Sequence, residues 1–502
     1  MKKKQTRGLW KAVGVVIVAT WVLLLGLLVR KIHFSAPPGG GSVTSEAPIS
    51  FQDFQREWKE LFLEDRKIGY AVHFIRPDAG GYVIQEEMFL RVNLMGMAGG
   101  VYTITQCRVD EQFRLRRFTF RMASGTVGFE ARGEVKGDRL VVETGREGES
   151  SVQSLPVDEP PVMGAGLAYY FRNRPLHVGD SFQFPLFDPS TMSRKDIKVR
   201  VAGRETIRIR GIAYDTFRLE AEVWGDRLTF WLDENGATLK ESGFMGLTAV
   251  RSSAAVAPEN IEGSGDLDFY EIAAITPDRK ISRPRDVSSL KVEMKGLERV
   301  TMDLSAWDSG RQKFSAPILE IVREELPLEA AFERPLKEGG DRFRDLLAPE
   351  FNMESEHEEI IRAAEDIAGS VTDPIEAAGL VQAWVYEHLE KRPVVSIPSA
   401  LEVLRAGVGD CNEHATLATA LLRALGIPAR IVVGLVYTRG KFFYHAWSEA
   451  YVGEWLSMDP TLNQMPVDAT HIKLLEGNLD RQVDLLGLIG RLELKVMDFE
   501  HD

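Results

Sequence analysis

Apolar and polar residues alternate from Phe217 to Trp224: Phe217, Leu219, Ala221 and Val223 fall on one side, and Arg218, Glu220, Glu222 and Trp224 on the other. A period of two is that of a strand with one buried and one wet face. Turn dipeptides stand where such strands would reverse: Gly137-Asp138 between GEVK and RLVVE, and Asn235-Gly236 between LTFWLDE and ATLKE. Residues 52–275 are therefore expected to form a large, mainly antiparallel β domain. No catalytic cluster stands out in it, and three roles stay open: a packing scaffold, a binding face for polymer or lipid, or a spacer.

PDRKISRP, from Pro277 to Pro284, interrupts the pattern. Residues 276–350 read as a linker with a short mixed segment, including a strand in APILEIVREEL. The period then changes. Ile360, Ile361, Ala364, Ile367 and Ala368 recur at helical spacing, as do Leu380, Ala383, Trp384 and Leu389 in the next run. A third helix starts at GDCNEH, carries Leu417, Ala420, Leu421, Ala424 and Leu425 on one face, and stops at Gly426-Ile427-Pro428. ARIVVGLVYTRG, KFFYHAWSEAYVG and EWLSMDPT follow as short strands. Helices before sheet predict an α+β domain over 351–480, with 481–502 as a C-terminal tail. No repeat of 20 to 50 residues is visible.

The first residues change the picture of where these domains sit. Ala12 to Val29 is free of charge and ends at Arg30-Lys31. As a helix it would be about 27 Å long, enough to cross the hydrocarbon of a bilayer. A cleaved secretory signal would need small residues after the apolar run, where Phe34-Ser35-Ala36 stands instead. Residues 1–34 are therefore expected to be a cytoplasmic tip and transmembrane anchor, and 35–51, with SAPPGGGSVTSEAP, a flexible spacer. Lys2, Lys3, Lys4, Arg7 and Lys11 outnumber Arg30 and Lys31, which keeps the N-terminus cytoplasmic. The rest of the chain is then extracytoplasmic, on the periplasmic side of a single-pass inner membrane protein. With 74 acidic against 61 basic residues and a net charge of -13, the chain lacks the clustered cations that nucleic acid requires.

Only two cysteines, Cys107 and Cys411, occur in 502 residues. Cys107, in VYTITQCRV, reads as a small apolar strand residue. Cys411 opens a helix, where free backbone N–H groups and the helix dipole favour a thiolate, and Asp410 is placed to cap that helix. A thiol nucleophile needs a base and a group that orients the base. His445 and Asp459, fourteen residues apart in strand-like segments, suit neighbouring strands of one hairpin.

The set GDCNEHATLATALLRALGIPARIVVG followed by YHAWSEAYVGEWLSMDPT resembles the transglutaminase-like superfamily. The resemblance covers about residues 360–478 and implies a papain-like catalytic domain. It assigns Cys411 as nucleophile, His445 as general base and acid, and Asp459 as the group that orients the imidazole. NQMPVDATHIKLLEG resembles the continuation found in bacterial membrane-associated members. The acidic loops by which animal transglutaminases hold calcium are not evident, so neither metal nor cofactor is expected. The resemblance implies thiol acyl transfer on amide bonds of a protein or peptide substrate, as peptidase, amidase or glutamine transamidase. Two alternatives stay open: a noncatalytic envelope scaffold meeting a partner through the β domain, and a zinc site built from Cys411, His414 and His445.

Overall fold

The computed structural model describes residues 55–502 apart from 126, 146–150, 173, 224–225, 244–245, 266, 298–303, 309, 337–339, 394–396, 398 and 478. The expected anchor, the spacer and Trp224 lie outside the described residues. None of the described helices is long and apolar enough to cross a membrane.

Fifteen of the described strands join one sheet. From Gln55–Leu63 a meander of antiparallel neighbours leads to Ser151–Pro156 at one edge. A second meander starts at Val162–Met163 on the other edge and ends at Leu247–Ser252, which pairs beside Gln55–Leu63. The two edge strands are thus joined by residues 157–161 alone, a connection that can span no more than roughly 20 Å. Laid flat, fifteen strands at about 4.8 Å spacing would be roughly 67 Å wide. The sheet therefore has to curl until its edges approach each other.

Curling converts the alternation into a core. Phe217, Leu219, Ala221 and Val223 are buried, while Glu222 faces solvent. Ile84, Phe118, Ala131 and Val142 form a second apolar cluster, which includes the buried free thiol of Cys107. The helix Gly164–Tyr170 sits between the two clusters, with Leu167 in one and Tyr169 in the other.

Segments expected to be linker and tail meet in a separate four-stranded sheet: Val287–Lys295 lies between Ile318–Val322 and Glu493–His501, with Gln312–Ser315 at the edge. Each of these strands has few inward positions, for example Leu494 and Val496 in the last, so its signal in sequence is weak. The partner that fixes it lies some 200 positions away in the chain.

The α+β part is built on the helix Cys411–Ala424, buried almost all round and packed against the strand Lys441–Tyr451. The helices Glu358–Ala368, Pro374–His388 and Ala400–Ala406 surround it. The sheet order is Trp455–Met458, Lys441–Tyr451, Ala429–Thr438, Ile472–Glu476, all antiparallel. Trp384 is half-buried against this core and stacks on His388. Arg430 ties all four strands together: it meets Glu449 at 2.6 Å, pairs with Glu476, and lies over the Trp455 ring at 3.9 Å. Replacing Arg430 by Ala should cost about 3 kcal/mol, because buried Glu449 would then keep, among the described residues, Lys473 as its one cation. The loss is read as a lower urea midpoint. An unchanged midpoint would show that Lys473 alone neutralises the site.

Candidate active site

The cap of the Cys411 helix is built reciprocally. Asp410 Oδ1 accepts the Asn412 N–H at 3.0 Å, and Glu413 Oε2 accepts the Asp410 N–H at 2.9 Å. This folding back needs a glycine at 409, where a Cβ would sit 2.2 Å from the Glu413 Cβ. The other Asp410 oxygen accepts from the Tyr270 hydroxyl at 2.9 Å. Tyr270 lies on the short helix Phe269–Ala273 that follows the large sheet, far outside the segment that carries the motif.

His445 lies opposite Gly434 on the adjacent strand. A Cβ at Gly434 would stand 1.9 Å from the Ile472 carbonyl oxygen and 2.9 Å from the Trp447 ring, so only glycine lets the third strand approach here. His445 Nε2 is 2.7 Å from Asp459 Oδ2. Cys411 and His445 line one pocket of about 150 Å3, and the Ala446 backbone, next in chain to His445, is the one neighbour that favours the thiolate of Cys411. The three residues singled out from the sequence are thus brought to one place. The same pocket is lined by Met95 from the turn after Gly81–Leu94 of the β domain, and by Lys391 and Arg392.

One expectation needs correction. Burial pushes the Cys411 thiol well up, and the Asp410, Glu413 and Asp459 carboxylates push the same way, against the Ala446 backbone alone. The cap that starts the helix brings two carboxylates to its first turn, and these offset the dipole that would favour a thiolate.

Asp459 is fully buried and has four partners: His445 and His471, at 2.7 and 3.2 Å, share Oδ2, while the Thr461 and Leu462 N–H groups reach Oδ1 at 2.8 and 3.0 Å. His471 is fully buried too, and its Nδ1 faces Asp468 Oδ1 at 3.4 Å. Asp468 in turn accepts from Thr470 and Gln464. His471 and Asp468 escaped attention in the sequence although both lie in DATHIKL. The signal was three ionisable residues, Asp468, His471 and Lys473, in a stretch otherwise apolar enough to be buried.

Burial opposes charge on these groups, but their mutual attraction outweighs it: Asp459 and Asp468 are held well below the usual carboxylate range, and His471 is raised to about 9. A raised histidine stabilises the fold fully below its ordinary value of about 6.5, a gain lost as pH rises through about 9. Depressed carboxylates stabilise it above their ordinary values near 4, a gain lost as pH falls. The urea midpoint should therefore be highest between about pH 4 and 6.5 and decline toward pH 9.5, with the alkaline decline reduced in His471→Gln. Equal alkaline declines in both proteins would show that His471 carries no proton in the folded state.

His445, Asp459 and His471 are also three residues of metal-ligating types with donor atoms within 4.8 Å of one another. Tetrahedral ligands about 2.0 to 2.1 Å from zinc would lie roughly 3.3 Å apart. The 2.7 Å contact between His445 and Asp459 is instead a hydrogen bond. His414 turns its Nδ1 to the Asp410 carbonyl oxygen at 2.6 Å.

The sequence profile of the transglutaminase-like superfamily matches residues 361–460. The chain carries a transglutaminase-like domain. Its β domain matches a family of proteins of unknown function, DUF3108, over residues 82–241. An uncharacterized protein of Mycobacterium leprae is 30% identical over 112 residues, 20% of this chain and 40% of that protein, so the match spans less than half of the relative's length. Among solved structures, a candidate cysteine protease from Cytophaga hutchinsonii is 17% identical at a TM-score of 0.28, covering 43% of this chain and 87% of its own. The periplasmic domain of TgpA from Pseudomonas aeruginosa, bound to ethylmercury, is 16% identical at 0.24, over 39% and 93%. A beta-barrel-like protein of a domain of unknown function from Brucella abortus is 13% identical at 0.31, over 39% and 95%.

Proposed function

We propose that the transglutaminase-like domain is a thiol acyl-transfer enzyme acting on amide bonds of protein or peptide substrates. The observation that carries this reading is the hydrogen bond of His445 to Asp459 beside a pocket that the Cys411 thiol shares. With Nε2 held by the carboxylate, His445 Nδ1 is the nitrogen left for the thiol. As the sulfur attacks the carbonyl carbon, its proton passes to Nδ1. The imidazolium then protonates the leaving amine as the C–N bond breaks, and a thioester remains on Cys411. Water or a second amine attacks the thioester, gives a proton to His445, and releases Cys411 as the sulfur recovers its proton. Water makes the protein a peptidase or amidase, and an amine makes it a transamidase.

Burial and the neighbouring carboxylates favour the protonated form of the Cys411 thiol at rest. Iodoacetamide labelling of the resting protein is expected to be slow at pH 6 and to accelerate steeply on the alkaline side. Cys107, buried and pushed up to about 12, should stay silent, so Cys411→Ala removes the signal. Rapid labelling at pH 6, lost in Cys411→Ala, would mean that a thiolate and imidazolium pair already exists at rest.

The apolar stretch 12–29 is proposed as a single-pass inner membrane anchor that holds the enzyme on the extracytoplasmic side, among envelope proteins and peptide-bearing polymers. Met95 in the pocket lining gives the β domain a part in substrate contact. The reading is tested by incubating the full chain with envelope peptides, quenching in acid, and searching for an acyl group on Cys411 by mass spectrometry. A thioester that disappears in Cys411→Ala supports it. A thiol that alkylates normally yet never carries an acyl group, even when hydroxylamine-sensitive adducts are sought at early times, would refute it.

A further inference from the structure

The curled sheet lines a second cavity, of about 250 Å3, which shares no lining residue with the thiol pocket. Most of its wall is hydrocarbon: Phe171 beside the helix Gly164–Tyr170, and Val199, Leu219, Val223, Phe230 and Leu232 from successive strands. One end differs. His73 and Glu86, opposite each other on neighbouring strands, border the cavity together with Glu241. The His73 side chain is 8% exposed, and its Nδ1 stands 3.2 Å from Glu86 Oε2 without the alignment of a hydrogen bond, leaving that nitrogen buried with no partner. Lys59 is the nearby cation, and it is already paired with Glu241.

The imidazole that borders the cavity thus has one buried nitrogen without a hydrogen bond, where buried polar groups are mostly satisfied. Convergent polar groups at one end of an apolar pocket are the common form of a ligand site. The charges narrow the choice of head group. An anion would meet Glu241, Glu86 and the nearby Asp188, with Lys59 already engaged. A cation would be buried alongside Lys59. Burial pushes Glu86 up to about 7, and burial together with Lys59 pushes His73 well below its ordinary value, so both are ready to meet an uncharged group. For size, an apolar cavity of about 150 Å3 accepts benzene, which in proportion gives roughly ten carbons here.

We propose that the β domain binds one amphiphile, with a hydrocarbon chain of roughly ten carbons among the strand leucines and valines and an uncharged hydroxyl or amide head at the end bordered by His73, Glu86 and Glu241. The domain is then a carrier or sensor of an apolar molecule as well as a wall of the thiol pocket, and this role stands whether or not Cys411 is catalytic.

The test uses the full chain in phospholipid nanodiscs with a ten-carbon alcohol bearing a diazirine, irradiated and mapped by mass spectrometry. Adducts should concentrate in residues 181–232 and fall at least fivefold with excess 1-decanol, but less than twofold with decanoate at pH 8. Ala221→Leu, which places a larger side chain in the cavity wall, should lower them at least fivefold while circular dichroism and the thermal midpoint are kept. Should that variant fail to fold, competition on the wild-type protein still decides. Adducts confined to residues 12–29 or scattered over the surface would overturn the site. Decanoate competing as well as 1-decanol would overturn the uncharged head.

Discussion

Cys411→Ala should lower turnover of an amide substrate by a factor of roughly a million, with the urea midpoint changed by less than about 1 kcal/mol equivalent. The first figure follows because sulfur, imidazole and carboxylate act as one unit, so removing the nucleophile alone forfeits almost all that the three achieve together. The second follows from place: Cys411 is at the first turn of its helix, and the cap that starts the helix is made by Asp410 and Glu413. Kinetics on a peptide amide and a denaturation curve on the same preparation check both halves. Residual activity within a hundredfold of wild type would mean that some other group attacks the carbonyl.

Asp459→Asn is the second large effect, expected at roughly ten-thousandfold in turnover. Asparagine serves as the orienting group in some thiol enzymes, so this loss has to come from the surroundings of Asp459. Its two oxygens accept from two imidazoles on one side and two backbone N–H groups on the other. An amide has one acceptor oxygen and one NH2 donor. Facing the NH2 toward Thr461 and Leu462 sets donor against donor. Facing it toward the histidines forces His445 into the tautomer that cannot take a proton from the thiol on its other nitrogen. A stopped assay over several orders of magnitude reads the loss directly. If Asp459→Asn kept a tenth of the activity, the carboxylate would be ornamental to the imidazole's tautomer and charge.

The candidate site was legible where its chemistry is local to a motif. Gly409, Asp410, Cys411 and Glu413 form a cap whose parts lie within five residues, so their spacing alone predicts the helix start. His445 lies on the strand Lys441–Tyr451 and Asp459 directly follows its hairpin partner Trp455–Met458, and their order and separation carry them together. His471 and Asp468 are not marked out by their own segment, because a strand pattern says which side chains turn inward and not what they meet there. Tyr270 and Met95 were beyond reach, being some 140 and 316 positions from Cys411 in the chain. The preference of the thiol for its proton went the other way from expectation for the same reason: a helix start reads as positive until burial and the carboxylates around the sulfur are counted.

The sequence by itself determined the elements: periods of two and near 3.6, turn dipeptides and caps are interactions between residues a few positions apart, and these specify strands, helices and the order in which Cys411, His445 and Asp459 appear. The tertiary structure alone decided that the large sheet curls and lines a cavity, that the chain's last strand completes a sheet with Val287–Lys295, and that a second histidine stands behind Asp459. Those outcomes depend on closing loops of tens to hundreds of residues and on the dielectric that burial creates, and neither quantity is a property of any short stretch of chain.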